Sequence, residues 1–229
     1  MEKHFAVAID GPSGAGKSTL ARAAAERFGF IYVDTGAIYR TVGLAARRAG
    51  VSTRDAEGIA ALLPGLRITM DYDVSGAQRM YLCGEDVSEA IRAPEISMCA
   101  SDVSAMPVVR EYLMEMQRSM ARDHDVVMDG RDIGTVVLPD AELKVFLTAC
   151  AEKRAQRRQL ELKARGLDAE YESVLRDMKL RDLNDSTRAS APLRAAEDAV
   201  PLDTSEMTLS ESAEALFTLI SQRMGECGR

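Results

Sequence analysis

At 229 residues with 46% hydrophobic side chains, the chain is long enough to bury a full core as one mid-sized domain, or as a domain with an elaborated insert. Its net charge of −7 argues against a nucleic-acid or membrane-surface partner, which calls for a basic footprint. No apolar run approaches the ~20 residues of a membrane span. Arginine outnumbers lysine 23 to 6. Codon bias accounts for such an imbalance, and so does phosphate recognition, where a planar guanidinium fork outperforms an ammonium. Cys83, Cys99, Cys150 and Cys227 are scattered, with neither metal-ligand spacing nor a secreted disulfide framework. His4 and His124 are the only histidines, and both lie in polar surroundings. The N-terminal MEKHFAVAIDG carries no signal-peptide h-region. A monomer in a reducing, cytoplasmic setting is expected.

In chain order, strand and helix signals alternate, which predicts a parallel sheet with helices on both faces. Residues 5–9 (FAVAI) form a short apolar run ended by DGPSGAG. Lys17 to Phe28 reads as a helix, with Leu20, Ala24 and Phe28 four apart and Gly29 as its stop. Residues 31–33 are a second strand, and Gly36 to Ala49 a second helix ended by Gly50. Residues 66–83 break the pattern: LRITMDYDVSGAQRMYLC alternates apolar and polar about an SGA turn, which predicts a β-hairpin projecting from the main sheet as an insert. Polar connectors are expected from there to Pro107, which opens a helix with Val109, Leu113, Met116 and Met120 as its buried stripe. Residues 126–128 and 143–147 are two further buried strands. Residues 151–182 read as two charged helices broken at Gly166, and 183–201 as irregular. A final amphipathic helix spans Leu209 to Met224, with Thr208 and Glu211 at capping-box spacing.

The strongest chemical signal is Gly11, Pro12, Ser13, Gly14, Ala15, Gly16, Lys17, Ser18, which fits G-x-x-x-x-G-K-[ST], the P-loop, between a strand and a helix as the motif requires. Its glycines let successive backbone N–H groups turn inward around phosphate oxygens at a helix N-terminus. Lys17 would reach the β- and γ-phosphates, Ser18 would ligate Mg²⁺, and Thr19 would donate to the α-phosphate. A P-loop also needs an acid at the end of a neighbouring strand. Asp129 ends the run VVMD and either holds the Mg²⁺ or caps the turn before Gly130. Asp10, which also follows a strand, is a weaker competitor for a polar role beside the phosphates. No N-K-x-D guanine determinant is present. Arg40, Arg110, Arg131, Arg181 and Arg188 stand in polar contexts predicted to surround the carboxyl edge of the sheet, where open α/β sheets bind ligands. Such forks suit an enzyme that holds the phosphates of two nucleotides together.

DTGAIYR (34–40), GEDVSEAIR (84–92), DGRDIGTVVLPDA (129–141), KVFLTA (144–149), RDLNDSTRASAPLRAAEDAV (181–200) and LDTS (202–205) follow the P-loop in order. Together they resemble the bacterial cytidylate kinases, the CMP/dCMP kinases of the nucleoside monophosphate kinase group, over nearly the whole chain. GRDIGTVV and RD-x-x-D-S-x-R are more specific than the P-loop. The resemblance implies a single α/β domain over 1–229 with a P-loop three-layer core, a central parallel sheet, a β-hairpin-containing monophosphate-binding insert at about 35–100, and a helical lid at about 151–167. The implied reaction is phosphorylation of CMP or dCMP by ATP with Mg²⁺, with small nucleotides as the partners. Lys17, Arg131 and Arg188 are the implied catalytic residues. Thr35 and Arg40 would hold the acceptor phosphate, as would Arg131 and Arg188. Asp185 with Arg181 would bind the sugar hydroxyls, and Ser101, Arg110 and Asp132 would read cytosine. In the lid, Arg154, Arg157 and Arg158 would close over ATP. The chain departs from the pattern at Cys83, where a less reactive residue is expected and a packing role is assigned. Two other readings stay open: a different small-molecule P-loop kinase acting on UMP, shikimate or gluconate, and a module that uses ATP as a switch without an acceptor.

Overall fold

The computed structural model describes residues 4–164 and 166–228. Five parallel strands form the central sheet in the order β2-β6-β1-β7-β8: β1 (Ala6–Asp10), β2 (Ile31–Asp34), β6 (Val126–Gly130), β7 (Leu143–Thr148) and β8 (Val200–Asp203). Alternation along the strands feeds two cores. Phe5, Val7, Ile9 and Val127 point to the face covered by α1 (Lys17–Phe28) and α8 (Leu209–Glu226). Ala6, Ala8, Val126 and Met128 point to the opposite face, where Met114 and Met120 of α5 (Pro107–Asp123) pack. The result is a three-layer α/β architecture with both sheet faces buried, as an all-parallel sheet requires. Among the described residues, no helix is long and apolar enough to cross a membrane.

The expected elements are largely present, and their caps explain their limits. Gly29 ends α1 at φ 71°. Asp34 ends β2 and starts α2 (Thr35–Arg48) by accepting the Ala37 N–H. Gly166, at φ 73°, follows α6 (Ala151–Ala164). Thr208 and Glu211 form the full capping box of α8.

Four elements escaped the sequence reading. The stretch read as connectors holds α4 (Pro94–Ser104), whose Ile96, Ala100 and Val103 are buried. That stripe is interrupted in sequence by Ser, Cys and Asp. A short helix, α3 (Ala56–Leu62), precedes the hairpin strands β3 (Ile68–Tyr72) and β4 (Gln78–Leu82). The two-residue strand β5 (Glu85–Asp86) then extends the hairpin into a three-stranded sheet. The region read as irregular is helical to Thr187 at the end of α7 (Tyr171–Thr187) and forms β8 at 200–203. Pro201 masks that strand in sequence, yet an edge position is where a sheet tolerates proline. Cys83 does not pack. It is exposed and, with Gly84, adopts positive φ (51° and 89°) in the two-residue turn between β4 and β5, the pattern of a type I′ turn. His4, expected to be solvated, is half-buried and lies 3.4 Å from Asp125.

The insert has its own core, formed by α2, α4, α5, β3 and β4. It is stitched to the open edge of the main sheet at β2. Gln78 accepts the Asp34 N–H (2.8 Å) and donates to the Asp34 carbonyl (3.3 Å), and the Tyr72 hydroxyl donates to the Tyr32 carbonyl (2.9 Å). Inside the insert α2 and α4 touch through Gly43: a Cβ there would stand 2.9 Å from the Cys99 Cβ and 3.2–3.3 Å from the α4 backbone. Because helix backbone cannot yield locally, Gly43→Val is expected to cost about 1–3 kcal/mol, read as a lowered urea midpoint with an unchanged m-value.

Candidate active site

The parallel registers set the carboxyl ends of β2, β6 and β1 abreast. Asp34 lies opposite Asp129, and Asp10 lies opposite Gly130. The phosphate loop leaves β1 at Gly11, whose φ of 151° and close approach to β7 exclude a side chain: a Cβ would sit 1.9 Å from the Leu147 carbonyl oxygen. Gly14 (φ 74°) and Gly16 (φ 95°) complete the turn into α1. No side chain caps that helix, so its first N–H groups face the cleft as an anion site.

Lys17 is buried and donates to the Pro12 carbonyl at 2.7 Å. Burial, then the Arg131 charge, lowers the Lys17 pKa; phosphate oxygens placed in the nest would oppose that shift. The Ser18 hydroxyl donates to Asp129 Oδ2 (3.1 Å), Tyr32 donates to Oδ1 (2.8 Å), and Thr35 donates to the Asp129 carbonyl (2.7 Å). Burial and then the facing Asp34 raise the Asp129 pKa. A hydroxyl and a carboxylate so placed offer the hard oxygen donors that Mg²⁺ takes alongside phosphates and water. Among the described residues there is no cluster of three or more His, Cys, Asp or Glu around a potential metal position. Ser18 and Asp129 would leave the remaining positions of such an ion to substrate oxygens and water.

From the loop a cleft of about 960 Å³ runs to the insert. Ten cationic side chains line it against six acidic ones, so a chain of net charge −7 presents a positive cleft. Several of the arginines are held by carboxylates. Arg40 meets Asp34 at 2.8 Å, Arg131 meets Asp185 at 2.8 Å, and Asp132 receives both Arg110 and Arg188. Arg110 also lies over the Tyr39 ring at 5.7 Å and donates to the Ser104 carbonyl. Ser101 donates to Asp185 at 3.3 Å. Arg181 lines the same wall, with its pKa lowered to about 10 by burial and then by Arg131, and it remains charged at neutral pH. The Nε atoms of Arg40 and Arg181 are buried without a partner among the described residues.

Sequence-predicted residues from the P-loop, β2, α2, α4, α5, the 130–132 segment and α7 thus converge on one cleft. Thr19, Arg157 and Arg158 also line it. Arg157 donates to the Thr204 carbonyl (2.7 Å), and Arg158 pairs with Glu161 (2.8 Å).

Two placements differ from the sequence reading. Arg154 does not line the cleft. It is 5% exposed, and its guanidinium is consumed by the Ala149 and Ser13 carbonyls and by Asp182, so it braces the phosphate loop against α6 and α7. Asp10 holds a turn and not the phosphate loop's own amides: Oδ1 accepts the Ile133 N–H (2.8 Å) and Oδ2 the Gly134 N–H (2.7 Å). Sequence reasoning missed Asp34 as the partner of Arg40. It also missed Tyr39 beneath Arg110, Thr204 beside Arg157, and Asp182 against Arg154. All four lie inside the quoted segments, Asp34 and Tyr39 in DTGAIYR, Asp182 in RDLNDSTR and Thr204 in LDTS, but nothing in their spacing names the partner.

Residues 7–222 match the family model described as cytidylate kinase. A cytidylate kinase from Caldicellulosiruptor bescii is 50% identical over 217 residues, 95% of this chain and 96% of the relative. Another, from Caldicellulosiruptor saccharolyticus, is 48% identical over 223 residues, covering 97% and 98%. Among solved structures, an uncharacterised protein from Eubacterium ventriosum aligns over 95% of this chain and 99% of its own with a TM-score of 0.51 at 11% identity, a likeness of fold alone.

The buried carboxylates make stability depend on pH with a definite sign. Burial, only partly offset by the two amide hydrogen bonds, raises the Asp10 pKa from 3.8 to about 6. A raised folded-state pKa means that the fold binds the proton more tightly than the unfolded chain does, so the ionised group costs stability above about pH 6 and that cost fades as pH falls toward 4. Asp10→Asn removes this dependence. Between pH 7.5 and pH 5, the stability of the wild type relative to Asp10→Asn is expected to rise by about 1 kcal/mol, measured by denaturant unfolding of both proteins. A difference that does not change with pH would refute it.

Proposed function

The chain belongs to the cytidylate kinase family, and we propose that it transfers the γ-phosphoryl group of ATP to CMP, giving ADP and CDP, and accepts dCMP in the same site. One observation carries this reading: a helix-N-terminal phosphate nest and an arginine–aspartate constellation face each other across a single cleft, with room for two nucleotides on the scale of ordinary ligand pockets.

The donor triphosphate would lie on Gly11–Thr19, with Lys17 at its β- and γ-phosphates. Its base end would run toward α6 and the 204–209 segment, where Arg157, Met207 and Leu209 line the cleft. Ser18 and Asp129 would hold Mg²⁺, which supplies charge neutralisation on the phosphates when bound. The acceptor phosphate would meet Thr35, Arg40, Arg131 and Arg188. Its sugar would meet Asp185 and Arg181, and cytosine would meet Ser101, Arg110 and Asp132.

A CMP phosphate oxygen then attacks the γ-phosphorus in line. The nucleophile is already anionic, so no strong general base is needed. Lys17 and the arginines carry the chemistry by positioning and charge neutralisation. Residues 151–167 would act as the lid that keeps water from accepting the phosphoryl group. Arg158 would close over the donor, while Arg154 would hold the lid base to the loop. A cleft built within one chain supports a monomer, and nucleotide substrates fit a cytoplasmic setting.

Coupled ADP release across a panel of CMP, dCMP, UMP, shikimate and gluconate tests the reading. ADP formation that depends on CMP and dCMP is expected, and ADP release indifferent to any acceptor would support a nucleotide switch instead. Lys17→Ala is expected to lower turnover about 10²–10³-fold with the circular-dichroism spectrum unchanged; near-normal turnover would remove the loop from the donor site. Asp132→Asn is expected to narrow the preference for CMP over UMP by about tenfold in kcat/KM. An unchanged ratio would take Asp132 out of base recognition.

A further inference from the structure

Asp10 is a buried carboxylate that the transfer reaction does not use. It ends β1 and is followed directly by Gly11, the first residue of the phosphate loop. Its two oxygens take the amides of Ile133 and Gly134, more than 120 residues away along the chain. Those amides open a π-helical turn, Ile133–Val137, whose internal bonds begin only later, from the Val136 and Val137 N–H groups to the Asp132 carbonyl and from the Leu138 N–H to the Ile133 carbonyl. The first N–H groups of a helical turn have no partner within it, and here no side chain at the preceding residue caps them. The Asp132 carboxylate is committed to Arg110 and Arg188. The cap is therefore supplied by the strand that carries the donor loop.

We propose that Asp10 is a positioning residue that fixes the register between the phosphate loop and the turn presenting Arg131 and Asp132 to the acceptor nucleotide. The inference rests on the kinase reading above. Two features make the register tight. On the donor side, β1 cannot follow a displaced turn, because Gly11 lies against the β7 backbone at Leu147. On the acceptor side, Gly130 leaves no slack: a Cβ there would lie 2.7 Å from both the Ile133 Cδ1 and the Thr35 hydroxyl. An ionised carboxylate matches two amide donors with two acceptors. Asparagine keeps one acceptor and sets an NH₂ group against the other amide, so the turn must rotate away from the loop.

Steady-state kinetics and amide hydrogen exchange on the full chain, with Asp10→Asn and Asp10→Ser, test this. The expected result is a rise of about tenfold in the KM for CMP and a similar fall in the CMP-over-UMP preference, with the KM for ATP changed less than twofold. Faster exchange is expected in peptides spanning 131–138 and not elsewhere. A lower kcat with unchanged CMP KM and base preference would overturn the proposal. So would an ATP KM that rises in step with that for CMP, or failure of both variants to fold, which would assign Asp10 to the scaffold alone. If wild-type protein forms no ADP with CMP, the kinase reading fails and this inference with it. If the wild type is active and the variants match it, only the inference fails.

Discussion

The governing constraint in this protein is that a cluster of guanidinium groups must exist in the folded chain before any phosphate arrives to neutralise it. Like charges a few ångströms apart in a poorly solvated cleft repel strongly, so an arginine-lined wall cannot stand alone. The chain meets this by giving arginines of the wall carboxylate partners: Arg40 with Asp34, Arg131 with Asp185, and Arg110 and Arg188 sharing Asp132. Buried ion pairs add little net stability, because desolvation offsets their attraction. Their return lies in orientation. A guanidinium held at one nitrogen by a fixed carboxylate presents its others in a fixed direction, and it needs little reorganisation when a phosphate binds.

The carboxylates in turn must sit where the backbone can carry them. Parallel pairing aligns the ends of β2, β6 and β1, which puts Asp34, Asp129 and Asp10 along one edge. Each has a separate task there. Asp34 caps α2 while holding Arg40. Asp129 gathers Ser18 and Tyr32. Asp10 takes the amides of the π turn. The hairpin insert is tied into the same edge, since Gln78 grips the Asp34 backbone on both sides. The geometry of the acceptor half therefore descends from the register of three strands.

The alternation of strand and helix and the P-loop were legible in sequence because each rests on local pattern: period-2 or buried apolar runs, period-3.6 stripes and glycines at fixed offsets. What was lost has specific physical reasons. The helix α4 hides because Ile96, Ala100 and Val103 are separated by residues that favour loops when read singly. Strand β8 hides behind Pro201, whose missing N–H an edge strand does not need. In the site, the arginines, Asp132 and Asp185 were marked by their motifs, while the pairing among them was not. Asp182 and Asp185 meet Arg154 and Arg131 only when folding carries the helix to them. Asp10 was read toward the phosphates because it adjoins their loop, yet the orphan amides it serves belong to a turn that only tertiary structure brings near.

Base discrimination in the proposed site follows from the same pairing. The Asp132 carboxylate is already bonded to Arg110 and approached by Arg188 before a base enters. Burial raises its pKa, and those two charges hold part of that rise back. A carboxylate has about four lone-pair directions, which leaves acceptor capacity for the cytosine amino group. Uracil would bring an oxygen to that position, acceptor against acceptor, and relief would require the carboxylate to swing away. It cannot do so without stranding two buried guanidinium groups, and the turn that carries it is capped from β1. In the proposed site the penalty against uracil would thus be set less by Asp132 itself than by how firmly its neighbours prevent it from moving.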